Sequence, residues 1–139
     1  MWKDGLLVGS RNKTVFSKIA SFTEDLNGFD QHVSARISAH INHFEIAWRG
    51  SRHDGELPSG YHTEQDKEVV GPFLLYQIRV GPGKTPGYRA WVMFLDKSVN
   101  ACWVYVFKKG KGRQPEDMRH ARERALRHWE MVQKDKEKS

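Results

Sequence analysis

Residues 73–109 read FLLYQIRVGPGKTPGYRAWVMFLDKSVNACWVYVFKK and contain three runs rich in β-branched and aromatic residues. The runs span residues 73–80, 88–95 and 101–108, and the connections GPGKTPG and DKSVN are built from turn-forming and polar residues. Short connections of this kind join antiparallel neighbours. The stretch therefore predicts a three-stranded antiparallel meander.

Two helical patterns precede the meander. Residues 14–27 place apolar side chains at helical spacing, and Gly28 and Asp30 supply a C-cap signal and an N-cap for a second helix. The apolar stripe of the second helix comprises Val33, Ile37, Ile41, Phe44 and Trp48. Together the two patterns predict an N-terminal helical hairpin.

The remaining segments complete the predicted fold. Residues 5–9 suggest a short strand, residues from about 50 to 72 a long loop, and residues 116 to about 133 a last amphipathic helix with Pro115 at its start. Residues from about 134 to 139 form a charged tail. We expect one α+β domain, 1–139, with the helical hairpin packed on a small twisted antiparallel sheet and a C-terminal helix.

Composition restricts the class of protein. The chain has 139 residues, 38% hydrophobic and 12% aromatic, which suits one folded domain and excludes an intrinsically disordered chain. Its single cysteine, Cys102, excludes a disulfide framework and a cysteine-based zinc site. No stretch has the length and apolarity of a membrane span or signal peptide, so we expect a cytoplasmic protein and no membrane partner.

Positive charge is concentrated at the end of the chain. The net charge is +6, and residues 107–139 hold 11 basic and 6 acidic residues, which accounts for five of those charges. Such asymmetry is typical of a surface that faces a polyanion, and also of a solvated basic tail.

Two motifs do not support a cofactor or metal. GPGKTPG has Ile78 where a phosphate-binding loop needs its earlier glycine, and Pro86 and Gly87 follow Thr85 where such a loop needs a helix. His40 and His43 lie one helical turn apart without an evident third ligand. A Ser-His-Asp site lacks a nucleophile-elbow pattern. We expect no cofactor and no metal.

Alternation along the strands groups several polar and cationic side chains. Gln77 shares a face with Arg79, Arg89 shares one with Trp91, and Lys109 shares one with Phe107 and Tyr105. One interpretation is that these cations only protect sheet edges. The other is a basic groove with aromatic side chains, which suits phosphates and stacked bases of single-stranded RNA.

The order of these motifs resembles a known family. LYQIRVGPGKTPGYRAWVMF, a third strand ending in VFKK, and PEDMRHARERAL resemble the RelE/ParE toxin superfamily, and within it the HigB/RelE-type toxins of type II toxin–antitoxin systems. The resemblance covers roughly residues 14 to 130 and is strongest over 74–125. It implies a metal-independent, ribosome-dependent mRNA endoribonuclease in which the RNA 2′-hydroxyl attacks the neighbouring phosphate.

The resemblance also implies roles for individual residues. Arg79, Arg89 and Lys109, with Lys108 beside it, match the basic residues that act on the phosphate. Gln77 stands where some relatives carry lysine, and Trp91, Lys111 and Arg113 are candidates for RNA binding. Relatives often place a tyrosine or histidine just beyond the closing basic residue, but this chain has GKGRQPED there. Candidates for the acid or base are Glu116, Asp117 and His120.

The expected partners follow from the same resemblance. They are a cognate antitoxin protein, of the helix-turn-helix type, together with the ribosome and mRNA. Two alternatives remain open: a ParE-like toxin that inhibits DNA gyrase through protein contacts without nuclease activity, and a plain basic RNA-binding module.

Overall fold

A computed structural model describes residues 13–50, 67–70, 73–82, 87–95, 100–109 and 115–138. The helices and strands in these ranges form an α+β arrangement, which confirms the predicted class. In chain order they are β1 (Val15–Lys18), α1 (Ala20–Asn27), α2 (Gln31–Gly50), β2 (Lys67–Val70), β3 (Phe73–Val80), β4 (Tyr88–Leu95), β5 (Asn100–Lys108) and α3 (Pro115–Lys138).

The strands form one sheet in the order β1-β5-β4-β3-β2. Antiparallel pairing of β3 with β4 and of β4 with β5 confirms the predicted meander. The expectation of a wholly antiparallel sheet is wrong, because β1 pairs parallel to β5. The first strand of the sheet in chain order is Val15–Lys18, and the strand predicted at residues 5–9 lies outside the described residues.

Two short edge strands replace parts of a predicted helix and a predicted loop. The first helix begins at Ala20 rather than at residue 14, since residues 15–18 pair with β5 instead. Part of the predicted loop, Lys67–Val70, is a strand that pairs with β3. Four-residue strands depend on the backbone hydrogen bonds of their neighbours, and their own side-chain pattern is too short to identify them.

Helices α1 and α2 cover one face of the sheet, which we call the hairpin face. Asp30 Oδ1 accepts a hydrogen bond from the His32 backbone N–H at 2.9 Å, which confirms Asp30 as the N-cap of α2. Trp48 stacks on Phe94 of β4 with ring centroids 4.3 Å apart, and its Nε1–H donates to Thr14 Oγ1. Other buried side chains between α1, α2 and the sheet include Phe22, Ile37, Ile41, Phe44, Tyr76, Ile78, Val92 and Trp103.

Helix α3 packs on the opposite face, against β5 above all. Pro115 begins it as predicted, but the helix continues to Lys138, so most of the predicted tail is helical. Ala121 and Ala125 of this helix are fully buried in the core. None of the helices in the described ranges is both long enough and apolar enough to cross a bilayer.

A β-bulge interrupts the pairing of β4 with β5. Trp91 lies opposite Tyr105 whereas Val92 lies opposite Trp103, so Val104 is an extra residue in β5. Alternation is reset at this point, and both Tyr105 and Phe107 lie on the same face as Trp91 and Arg89. The bulge therefore determines which face the end of β5 presents.

The β3–β4 hairpin begins with a constrained glycine. Gly81 has φ 110°, and a Cβ at this position would lie 2.7 Å from Tyr88 Cδ1. Its N–H donates to His40 Nδ1 of α2 at 2.8 Å, which joins the hairpin to the helical layer. Both the positive φ and the close approach to Tyr88 require glycine here.

We expect Gly81→Ala to lower the free energy of unfolding by about 2 kcal/mol, because alanine is strained at this φ and its methyl group collides with Tyr88. Chemical denaturation measures the change. Gly87→Ala is a matched control in the same hairpin, because a Cβ at Gly87 meets nothing within 4 Å. Equal losses from the two substitutions would contradict the explanation.

The partly buried imidazole of His40 predicts a pH dependence of stability. Burial, and then His43 and Arg36, hold the pKa of His40 below its usual value. The unfolded chain therefore binds a proton at a pH where folded His40 is neutral, and burial lowers the pKa of His128 in the same sense. The contribution of these two histidines to the free energy of unfolding is fully present above about pH 6.5. It declines as the pH falls towards their lower pKa values in the folded protein.

We expect His40→Asn to reduce the loss of stability between about pH 6.5 and 5, because asparagine offers an acceptor to Gly81 and does not titrate. Denaturation at a series of pH values measures this slope. His32→Asn removes an exposed imidazole and should leave the slope nearly intact. An unaltered slope in His40→Asn would show that the titration of His40 is not its source.

Candidate functional site

Two arginines lie directly opposite each other on the sheet. Arg79 of β3 pairs with Arg89 of β4, and Arg89 pairs in turn with Phe107 of β5. In the adjacent row of the same face, Gln77, Trp91 and Tyr105 lie side by side. We call this side of the sheet the arginine face. The register confirms the predicted pairs Gln77 with Arg79 and Arg89 with Trp91, and joins them on one surface.

The two arginines differ in environment. Arg89 is only 8% exposed and its Nη1 donates to the Tyr88 carbonyl oxygen at 2.9 Å, whereas Arg79 is exposed. Burial first, and the charge of Arg79 second, lower the pKa of Arg89 from its usual value. Like charges directly opposite each other across strands are destabilising. The register thus brings one buried and one exposed arginine side by side on the arginine face.

The two lysines at the end of β5 lie on opposite faces. Lys108 pairs with Tyr88, and strand alternation places both on the hairpin face. Lys109 continues the ladder, because its N–H donates to the Gly87 carbonyl oxygen at 2.8 Å, and its side chain belongs to the arginine face. The expectation that Lys108 acts beside Lys109 on one phosphate is therefore not supported by the register.

The predicted RNA-binding residues have unequal access to solvent. Trp91 is 1% exposed, so its ring is part of the core and is not a surface on which a base could stack. Gln77 is partly exposed, in the same row of the arginine face. Lys111 and Arg113 lie outside the described residues.

Tyr105 lies where the arginine face meets α3. Its hydroxyl donates to Asp117 Oδ1 at 2.6 Å, and its ring stacks on Phe107 and lies 5.8 Å from the His120 ring. The Arg124 guanidinium lies over the Tyr105 ring, 4.7 Å from its centroid. Burial, followed by the bond to Asp117, raises the pKa of Tyr105, so the phenol stays protonated. Tyr105 can donate a hydrogen bond but is a poor base.

Arg124 fixes α3 against the rest of the domain. Its guanidinium forms an ion pair with Asp25 of α1 and donates to the Val104 carbonyl oxygen at 3.1 Å. Val104 is the bulged residue of β5. One side chain thus connects α1, the bulge and α3 beside Tyr105.

The three predicted acid or base candidates lie in the first turns of α3. Exposed Glu116 pairs with Arg119, which lowers the pKa of Glu116. Asp117 accepts from Tyr105, and His120 is exposed beside the Tyr105 ring. Glu116 and His120 are both exposed, but the Glu116 carboxylate is engaged by Arg119.

The sequence alone did not identify Tyr105 and Arg124 as members of the site. The resemblance directs attention to residues beyond Lys109, while Tyr105 precedes it by four positions and reaches the same face through the bulge. The sequence signal for Tyr105 was its spacing of two residues from Phe107, which places the two side chains on one face of a strand. Arg124 is one of several arginines on a helix of charged residues, and nothing in its spacing distinguishes it.

Within the described ranges, no group of three or more His, Cys, Asp or Glu side chains could hold a metal ion. His40 of the predicted pair uses Nδ1 to accept from Gly81. Its role in the described structure is to hold the β3–β4 hairpin.

Scans of the chain against protein-family models, curated proteins and solved structures returned no match. The RelE/ParE resemblance therefore rests on the motifs quoted above and stays a prediction. The geometry of the arginine face is an independent observation.

The bond between Tyr105 and Asp117 should be measurable as a coupling free energy. We expect Tyr105→Phe and Asp117→Asn each to lower the free energy of unfolding. The loss in the double variant should be about 1.5 kcal/mol smaller than the sum of the two single losses. Chemical denaturation of the four proteins measures the cycle. The corresponding cycle of Glu116→Gln with exposed Arg119→Gln should show little coupling. A coupling of zero for Tyr105 and Asp117 would contradict the bond.

Proposed function

We propose that the chain is an RNA-cleaving toxin of the HigB/RelE kind, which acts on mRNA at the ribosome. The observation that carries the proposal is the Arg79–Arg89 pair, with Lys109 on the same face and a tyrosine–carboxylate–imidazole group beside it. Cations grouped on one face attract a polyanion. A phosphodiester is the anion that the family resemblance suggests.

The cations would bind the phosphate and stabilise the charge that develops on it during cleavage. Arg89 is held by its bond to the Tyr88 carbonyl, so its planar fork is already oriented. Exposed Arg79 can move to meet the ligand, and Lys109 adds a third positive charge at the end of the sheet. Preorganised cations of this kind stabilise a transition state more than the ground state.

In this proposal, residues in the first turns of α3 would transfer the protons. Histidine is the side chain most often used for proton transfer near neutral pH, and His120 is exposed beside the Tyr105 ring. Tyr105 would position Asp117 and the adjoining turn of α3 through its hydroxyl. His120 would take the proton of the 2′-hydroxyl or return one to the departing 5′-oxygen. Diagonal neighbours across paired strands lie about 7–8 Å apart, so Arg89 and Tyr105 can flank one nucleotide.

The antitoxin in this proposal is a protein that covers the arginine face with an acidic or amphipathic segment. Charge complementarity would favour such a segment over a basic one. An antitoxin bound there would block RNA and protect the cell from the free toxin.

Lysines 108 and 109 provide a matched test of the face. We expect Arg79→Ala and Lys109→Ala to reduce RNA cleavage by on the order of 10²-fold, because each removes a cation that stabilises the transition state. Lys108→Ala removes the same charge from the hairpin face and should leave cleavage nearly unchanged. Both lysines and Arg79 are exposed, so all three variants should fold.

Primer extension on mRNA after induced expression, with and without translation, measures the cleavage. Cuts within translated codons that depend on Arg79 and Lys109 would support the proposal. An equal effect of Lys108→Ala would show that net charge, and not the arginine face, is responsible. Intact mRNA in arrested cells would contradict nuclease activity.

The second candidate is a toxin that inhibits DNA gyrase through protein contacts. The observation in its favour is that two of the three acid or base candidates are engaged, Glu116 with Arg119 and Asp117 with Tyr105. Intact mRNA together with damaged DNA after expression would select this function.

A further inference from the structure

One arginine of α3 is paired with a residue far away in the chain. Arg124 forms an ion pair with Asp25 of α1, 99 residues earlier, in which Nη1 contacts Oδ2 and Nη2 lies 3.4 Å from Oδ1. The two side chains are only 24% and 23% exposed. Exposed Arg119 on the same helix pairs with Glu116 and Glu123 of that helix. A partly buried, two-pronged pair holds its members more rigidly than such an exposed pair.

The same guanidinium group binds the sheet at the bulge. Strand β1 pairs with β5 as far as Trp103, whose carbonyl oxygen accepts from the Ile19 N–H at 3.1 Å. Val104 is the next residue and the extra residue of the bulge, and its carbonyl oxygen accepts from Arg124 Nη1 at 3.1 Å. Arg124 therefore binds β5 directly beyond the end of β1, at the irregularity that turns Tyr105 towards α3.

Arg124 and His120 both contact the ring of Tyr105. The Arg124 guanidinium lies 4.7 Å from the ring centroid, and the centroid of the His120 ring lies 5.8 Å from it. Because His120 precedes Arg124 by four residues, the two side chains project from the same side of α3. The Tyr105 hydroxyl is bound to Asp117, so the phenol is held at its face and at its end. The place of His120 beside this ring depends on the docking of α3 that Arg124 provides.

We propose that Arg124, held by Asp25, is a positioning residue for RNA cleavage, which fixes the bulge, the Tyr105 ring and the first turns of α3 so that His120 stays beside the arginine face. The inference rests on the function proposed above. The charge of Arg124 is paired with Asp25, so its part is to hold geometry and not to bind RNA. Since a misplacement of about 1 Å can cost a large factor in rate, a side chain that never touches RNA can control its cleavage.

We expect Arg124→Gln to lower kcat about tenfold and to leave KM within about twofold, because the cations of the arginine face still bind RNA while His120 is displaced. Asp25→Asn leaves Arg124 in place but releases it, so kcat should fall by a similar factor. The double variant should be no slower than either single variant, since the two residues act as one unit. The measurement is mRNA cleavage by the purified full chain on translating ribosomes, followed by primer extension.

Two controls separate positioning from charge and from stability. Arg127→Gln removes the same charge from an exposed position of α3, so kcat should stay unchanged. Trp48→Phe removes a buried hydrogen bond to Thr14 on the hairpin face, so it should lower the melting temperature and leave kcat unchanged. All variants are assayed well below their melting temperatures. A loss of kcat in either control equal to that in Arg124→Gln would overturn the inference.

A second readout does not depend on RNA. The rings of Tyr105 and His120 are close enough for nuclear Overhauser effects between their ring protons in NMR spectra of the labelled full chain. These effects should be present in the unaltered chain and in Arg127→Gln. They should weaken or vanish in Arg124→Gln, and Asp25→Asn gives the same test if Arg124→Gln fails to fold.

Failure of the inference differs from failure of the proposed function. If the effects between the two rings persist in Arg124→Gln, the inference is overturned whatever the unaltered chain does to RNA. If they vanish while kcat keeps its original value, the inference is also overturned and the proposed function is untouched. If they vanish but the unaltered chain leaves mRNA intact, Arg124 still holds the two rings together and the nuclease proposal fails.

Discussion

The pairing of Arg79 with Arg89 depends on the register of β3, β4 and β5, and burial of both faces of the sheet fixes that register. Ile78 and Val80 pack under the helical hairpin, while Leu75 and Trp91 are buried on the other side. A slip by one residue would place Arg79 beneath the helices and carry apolar side chains to the opposite face. The hydrophobic cores therefore hold two like charges together that would otherwise separate.

The bulge at Val104 completes the arginine face. Regular alternation from Cys102, which lies on the arginine face opposite Met93, would place Tyr105 on the hairpin face. The extra residue turns Tyr105 towards Asp117, and Arg124 binds the Val104 carbonyl oxygen at the same point. Bulges often re-aim side chains beside functional sites. Here one irregularity connects the sheet, the start of α3 and the candidate acid and base.

The predictable parts of the structure are those with long periodic patterns. Strands β3 to β5, the stripe of α2 and the start of α3 at Pro115 follow from the sequence, because each buries many apolar residues at a fixed period. Strands β1 and β2 have four residues each and exist through pairing with β5 and β3. In the site, alternation predicted the grouping of Arg89 with Trp91. The position of Tyr105 on the same face as Arg89, and the bonds of Arg124, were not predictable, since they depend on a bulge and on tertiary packing.

The buried tryptophan side chains on the two faces of the sheet differ in whether they have hydrogen-bond partners. On the hairpin face, Trp48 and Trp103 each donate to a side chain, so this layer contributes stability and specifies one packing. On the arginine face, Arg89 is buried beside a like charge and Trp91 Nε1 has no partner within the described residues. The unpaired Trp91 donor is a locally unfavourable feature, and such features are expected where a protein has a functional site. An unpaired buried donor lowers stability, so Trp91 carries a cost on the arginine face that Trp48 and Trp103 do not carry on the hairpin face.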